Sequence, residues 1–186
     1  MTNKQKRYLK VKRINSLVAA FIYIPTTLPL FLLILLINTI AMKGHPFFVQ
    51  ERYGEHREIF KIYKFQSFSK DGHISLWGRF IRFTSLDELP QLYNIIKGDM
   101  NIIGPRPLSI LEEDIDILRK EMIPSPYEVK PGLTGYAQIK FRPSLKAEEK
   151  ANNDHFYISN FSLSLDIKIL LITIFKVVPI TIHSHK

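Results

Sequence analysis

Two adjacent carboxylates, Asp87 and Glu88, lie inside the run SLDELPQLY at residues 85–93, and the turn GPRP follows at 104–107. An ionised carboxylate can attack phosphorus. A neighbouring carboxylate can hold Mg2+, which neutralises phosphate oxygens and helps a leaving group depart. Such chemistry needs cations to match the phosphate charge. Arg79 and Arg82 precede the pair, and Arg106 is flanked by Pro105 and Pro107. The planar guanidinium fork suits bidentate phosphate contact. Lys61 and Lys64, in the aromatic stretch FKIYKF, are weaker candidates for phosphate or headgroup contact. The plain alternative is that acidic residues often begin helices and that each arginine is a surface charge.

The carboxylates must be positioned by a helix predicted from near Ser85 to Gly98, where glycine can take the left-handed cap conformation. Leu89, Leu92, Ile95 and Ile96 give it one apolar face. Two registers stay open. Either Ser85 is the N-cap and Glu88 fills the capping-box position, or Asp87 is the cap and Pro90 falls where its missing N–H costs no bond. Both put the carboxylates at the positive helix end, which favours their ionised form and can hold an anion.

Upstream, residues 47–68 interleave aromatic and β-branched side chains with charge, which predicts extended structure with one basic face. Residues 69–73 read as a turn because they include Asp71 and Gly72. Downstream, 100–103 is a short apolar run. Residues 108–122 read as an amphipathic helix with Leu111, Ile115 and Leu118 inward, ended by Pro124 and Pro126. Residues 130–143 carry Pro131, Gly132 and Gly135 and read as an ordered loop with short extended pieces.

No residue from 14 to 42 is charged. As one ideal helix this run would measure about 43 Å, against a hydrocarbon thickness of ~30 Å. Pro25 and Pro29 lie inside it with Thr26 and Thr27 between them, so a sharp bend is predicted there. Lys4, Lys6, Arg7, Lys10, Lys12 and Arg13 precede the run, and Lys43, Arg52, Arg57, Lys61 and Lys64 follow it. By the positive-inside rule both ends want the cytoplasmic side. A re-entrant helix broken at Pro25 and Pro29 satisfies both observations; a tilted, kinked single span or an uncleaved signal anchor are the alternatives. The last apolar stretch, 161–182, is interrupted by Asp166, Lys168 and Lys176, which predicts a helix lying in the interface or packed on the anchor.

The chain of 186 residues suffices for one domain plus an anchor. The division is a basic N-terminus and membrane helix at 1–43 and a catalytic domain at 44–186. With 26 Lys and Arg against 17 Asp and Glu, the net charge of +9 favours anionic partners. The absence of cysteine excludes disulfides and thiolate chemistry. The histidines have no metal-ligand spacing, and no Walker, GxGxxG or GxSxG pattern occurs. A basic nucleic-acid binder would explain the charge but not the uncharged run or the dyad, so no nucleic acid is expected. Trp77, Phe80 and Phe83 read as core or interface residues rather than a base-stacking platform.

Taken together, these motifs resemble the bacterial sugar transferases, also called monotopic phosphoglycosyl transferases. The match runs from Lys12 and Arg13 through FVQER and Gly54, FKIYKF, SLDELPQ, Asn94, KGDM, GPRP and KPGLTGYAQ to Asp154, Tyr157 and LDIK at 165–168. The resemblance implies a mostly helical α+β, membrane-associated single domain with an N-terminal re-entrant hairpin and interfacial amphipathic helices, in the family's minimal form. It implies that Asp87 attacks the sugar-side phosphate of a UDP-sugar, releasing UMP, and that a polyprenyl phosphate such as undecaprenyl phosphate takes the phosphosugar. Glu88 matches the residue associated with Mg2+, the implied cofactor. Arg82 and Arg106 match phosphate-binding arginines, and Gln138 and Arg142 are carried as further substrate-binding candidates. The implied setting is the cytoplasmic face of the bacterial inner membrane in surface-glycan assembly, with membrane lipids and a homodimer as candidate partners. A catalytically inactive scaffold of the same fold is the rival reading. The chain departs from the family pattern at Leu28 before Pro29, at Asn15 and Ser16, in a short 69–77 segment, and at Phe141, Arg142 and Pro143. The last two departures bear on sugar recognition rather than on the chemistry.

Overall fold

The computed structural model describes residues 3–69, 72–140 and 145–177. Helix α1 (Asn3–Ala41) is the longest element, and it runs through both prolines without a break in its assigned span. A predicted break there is therefore not seen as an interruption of the helix. Proline removes a backbone donor, and the hydroxyls beside it bond back to carbonyls of the preceding turn. Thr26 donates to the carbonyls of Ile22 and Tyr23 at 3.1 and 2.9 Å, and Thr27 donates to Tyr23 at 2.6 Å. Among the described residues this is the one helix long and apolar enough to cross a membrane.

Both ends of α1 pack on the rest of the protein, and its proline-bearing middle does not. On the N-terminal side, Arg13 donates to the carbonyls of Ile95 and Met100, and Ser16 accepts from the Ile102 N–H. Lys12 forms a buried ion pair with Asp166 at 2.8 Å, and Tyr8 and Tyr157 donate to the same carboxylate. Ala20 packs against Phe60, Ile62, Ile95 and Met100. On the C-terminal side, Ile34 joins Phe65 and Ile81, while the buried Asn38 donates to the Pro46 carbonyl and accepts from the Trp77 indole at 2.9 Å. Trp77 thus ties its helix to α1, as a structural role for it requires. Between these contacts Phe21, Ile22, Leu32 and Leu33 are more than half exposed.

The extended region expected at 47–68 is a hairpin of β1 (Phe47–Tyr53) and β2 (Ile59–Phe65). Of the turn expected at 69–73, residues 69, 72 and 73 are described: the Ser69 N–H donates to the His73 carbonyl at 2.8 Å beside a bridge between Phe68 and Ile74, Gly72 is in the left-handed region, and Asp71 lies outside the described residues. Helix α2 (Leu76–Phe83) is capped by Ser75, and α3 (Gln91–Lys97) ends at Gly98 with φ 103°, the left-handed cap expected from the sequence. Strands β3 (Asn101–Ile103) and β5 (Gly132–Thr134) pair in parallel. The helix expected over 108–122 is shorter: Leu108 and Ser109 form β4, which adds to the hairpin in the order β2-β1-β4, and α4 spans Glu113–Glu121. Ile115 points inward as expected, but Leu111 lies before the helix and is 78% exposed. The loop expected after 130 holds β5 and the short α5 (Tyr136–Lys140), followed by α6 (Ala147–Asn160). Helix α7 (Leu163–Val177) packs Ile169 into a cluster with Tyr157, Ile158 and Phe161, against which Tyr8 and Leu9 of α1 also pack.

Candidate active site

The dyad does not open α3. After α2 the chain turns sharply at Ser85, which takes φ 56° and ψ 17°, and Leu86–Glu88 form a separate 3-10 turn. Ser85 makes no side-chain cap bond, and Pro90 stands immediately before α3. Neither register expected from the sequence is therefore realised. The turn is closed by the Glu88 and Leu89 N–H groups donating to Ser85 and Leu86 at 3.2 and 3.3 Å. The electrostatics change with it. Asp87 is 9% exposed, and burial, aided by Glu88, pushes its carboxyl up to about 6 against the pull of Lys64 and Arg82. It still carries its charge at neutral pH. Its neighbour Glu88 is more open and pairs with Lys64 at 2.6 Å.

The turn stands beside a cavity of about 800 Å³. Side chains alternate across strands, so the β1 and β2 residues on one face are set by register. Arg52 opposes Phe60, and Gln50 opposes Ile62. Arg52, Ile62 and Lys64 line the cavity from this face. Arg82, Glu88, Arg106, Arg119, Gln138, Lys150 and Asp154 line it from elsewhere. Six cations therefore converge with two carboxylates, an excess of positive charge suited to a diphosphate.

One wall is built by the 104–107 turn, which is held by its backbone. The Gly104 N–H donates to Thr134 at 2.9 Å and the Pro105 carbonyl accepts from Gly132 at 2.9 Å. The Arg106 N–H donates to Asp154 at 3.0 Å, and its carbonyl accepts from Arg119 at 3.0 Å. The Pro107 carbonyl accepts from Arg52 at 3.0 Å. Arg119 and Asp154 are ion-paired with each other and almost fully buried, and burial raises the Asp154 carboxyl. Glu112 lies between two of the cavity arginines, 3.7 Å from Arg52 and 3.6 Å from Arg106.

Of the residues singled out in the sequence, Lys64, Arg82, Glu88, Arg106 and Gln138 line the cavity, and Asp87 lies in the turn that forms its edge. Arg82 also stacks its guanidinium 4.9 Å from the Phe68 ring. The Gln138 Oε1 is buried without a hydrogen-bond partner. Lys61 and Arg79 are exposed and not among the lining residues. By strand alternation Lys61 is on the face opposite Ile62 and Lys64. Arg142 lies outside the described residues. Sequence reasoning gave no role to Arg119 or Lys150 and read Arg52 as a flanking charge and part of a family motif, not as a site residue. The alternation that placed Lys64 could have found Arg52; nothing local marks Arg119, whose partner lies on another helix.

Glu88 fits a Mg2+ ligand. Among the described residues no three His, Asp or Glu side chains form a metal cage. Mg2+ is ordinarily held by one or two carboxylates together with substrate phosphates, and Glu88 is a partly exposed carboxylate lining the cationic cavity.

The bacterial sugar transferase family model matches residues 7–179. The chain belongs to this family and is a transferase. It is 36% identical over 178 residues to an uncharacterized sugar transferase, EpsL, of Bacillus subtilis, covering 90% of this chain and 87% of that protein. It is 36% identical over 185 residues to a UDP-N-acetylgalactosamine-undecaprenyl-phosphate N-acetylgalactosaminephosphotransferase of Aeromonas hydrophila, covering 90% of this chain and 43% of that protein. To a UDP-glucose:undecaprenyl-phosphate glucose-1-phosphate transferase of Klebsiella pneumoniae it is 32% identical, over 89% of this chain and 39% of that one. The chain thus spans about two fifths of these two longer relatives.

Proposed function

We propose that this protein transfers a sugar 1-phosphate from a UDP-sugar to undecaprenyl phosphate, releasing UMP, as the first membrane step of a surface glycan. The observation that carries the reading is the buried Asp87 at the edge of a cation-lined cavity, its carboxyl pushed up to about 6 yet ionised at neutral pH. An Asp87 oxygen attacks the sugar-side phosphorus of the donor. The bond from that phosphorus to the bridging oxygen breaks, and its electron pair leaves with UMP. In the second half-reaction a phosphate oxygen of the acceptor attacks the same phosphorus, the Asp87–phosphorus bond breaks, and a lipid-linked diphosphate sugar departs. One phosphate site thus serves both substrates in turn. Arg106, on its clamped turn, with Arg52 and Arg82, binds and orients phosphate oxygens. Glu88, released from Lys64, is the residue to hold Mg2+, which when bound supplies charge neutralisation to those oxygens.

The site faces the cytoplasm in this reading, where a soluble donor and a lipid acceptor meet. α1 enters the bacterial inner membrane and returns at Pro25 and Pro29. Support comes from the packing of both its ends on one body, the exposed middle between them, and the lysines and arginines at each flank. The test is UMP release from a panel of UDP-sugars with Mg2+, with and without undecaprenyl phosphate. Lipid-dependent release that falls by about 10³-fold or more in Asp87→Asn is the result expected. Donor binding without release, in folded wild-type protein, would point instead to an inactive scaffold.

A further inference from the structure

Glu112 is not among the residues that line the cavity, yet it stands against two that do. Its carboxylate has a set place at the start of α4. The Ser109 N–H donates to Oε2 at 3.0 Å, and the Glu112 N–H donates back to the Ser109 carbonyl at 3.0 Å. Ser109 is itself fixed, because it pairs with Arg52 where β4 joins β1 and its hydroxyl accepts from Gln50 at 3.2 Å. From this place Oε2 reaches Arg52 at 3.7 Å and Oε1 reaches Arg106 at 3.6 Å. Those lengths are charge contacts rather than hydrogen bonds, so one carboxylate attracts both forks without using up their donors.

The two arginines come to this point from different elements, one from β1 and one from the 104–107 turn, and they repel each other. Burial first and Arg106 second hold the Arg52 guanidinium below its ordinary value, while Glu112 and Glu88 oppose them. Arg52 has further anchors, donating to the Pro107 carbonyl and to Gln50 Oε1. Arg106 has none of that kind. Among the described residues its guanidinium makes no hydrogen bond, and Glu112 is the one carboxylate with which it pairs. All three side chains are partly buried, where attraction is screened less than on an open surface.

We propose that Glu112 is a positioning residue, whose single charge draws Arg52 and Arg106 together into one site for a substrate phosphate. The inference rests on the reaction proposed above for the identity of that phosphate. Glu112 touches no substrate in this role; its effect passes through the two arginines. Without it their repulsion parts them, and a bound phosphate loses its fixed orientation.

The test is a double-mutant cycle of Glu112→Gln and Arg52→Gln in the full chain, held in nanodiscs of phosphatidylethanolamine and phosphatidylglycerol. Glu112→Gln keeps an acceptor for the Ser109 N–H and removes the charge. The readouts are kcat for UMP release and the dissociation constant of UMP by calorimetry, which needs no turnover. Loss of the Glu112 charge is expected to lower kcat about tenfold when Arg52 is present and by less than about twofold when Arg52 is replaced. Equal losses in both backgrounds overturn the inference, because a carboxylate that only secures the start of α4 costs the same either way. A second cycle uses Arg106→Gln, whose fork gives up no hydrogen bond to the protein among the described residues, and is read by UMP affinity. Coupling of about threefold or more is expected there, and additive effects overturn the inference. Coupling in UMP affinity without UMP release from any UDP-sugar rejects the reaction and keeps the role of Glu112. UMP release with additive variants does the reverse.

Discussion

In the 104–107 turn both N–H groups and three of the carbonyls are bonded to partners on other elements, two of them the almost fully buried Arg119 and Asp154. The 85–88 turn across the cavity keeps only local backbone bonds and carries a serine at φ 56°. The difference matches the work each would do. A phosphate-binding arginine must present its fork in one place, because misplacing a bound group by about 1 Å can cost about 10²-fold in rate. A nucleophile needs the right charge state, and here burial against nearby cations sets it.

Breaking the clamp has the largest expected effect. Arg119→Ala or Asp154→Ala leaves an uncompensated buried charge and should cost about 3 to 5 kcal/mol in chemical denaturation. The sharper variant, Arg119→Met with Asp154→Leu, replaces both charges with apolar volume. It should stay folded, yet lose about 10²-fold in UMP release because the two bonds to the Arg106 backbone are gone. Normal activity in that folded double variant would show that the pair serves stability alone.

The dyad turn is probed by pH. With the Asp87 carboxyl at about 6, UMP release should fall as pH drops through that value. Lys64 pulls this carboxyl down, so Lys64→Met should move the acid limb to higher pH; a limb that stays in place would remove Lys64 from the tuning. The same shift has a stability consequence. Because the folded-state value lies above the ordinary 3.8, the folded protein holds this proton more tightly than the unfolded chain does. Stability from Asp87 is full below that range and is lost as pH rises from 3.8 to about 6, so Asp87→Asn should be more stable than wild type at pH 7. The smallest effect is at Ser85, where left-handed backbone disfavours any side chain. Ser85→Gly should raise stability by up to about 1 kcal/mol, and a loss would argue that the serine hydroxyl supports the turn.

The same two turns mark how far the chain could be read in advance. Gly98 ends α3 as expected because one glycine at the end of an apolar-periodic run determines its own conformation. The extended character of 47–65 was legible from its alternation, but the hairpin within it was not, because its turn places His56 and Arg57 at positive φ, which no residue there announces. Ser85 repeats that difficulty: capping rules predicted a helix start, and a left-handed serine converted it into a separate 3-10 turn. The result reversed the electrostatic expectation, since burial raises a carboxyl that a helix end would have lowered. Arg106 was legible from its prolines. Its support was not, because Arg119 finds Asp154 only through the packing of α4 against α6. At α1 the prolines and flanking charges were plain, while the threonine hydroxyls that bond back to the Tyr23 carbonyl became visible only with the fold.

The central claim is that Asp87 carries the phosphosugar between donor and acceptor. Intact mass spectrometry of the enzyme mixed with a productive UDP-sugar and Mg2+, quenched in acid before acceptor is added, tests it most directly. A mass gain equal to one sugar phosphate, mapped to the peptide containing Asp87 and discharged by undecaprenyl phosphate, is the predicted result. Lipid-dependent turnover with no such adduct at any quench time, or with full activity in Asp87→Asn, would contradict it.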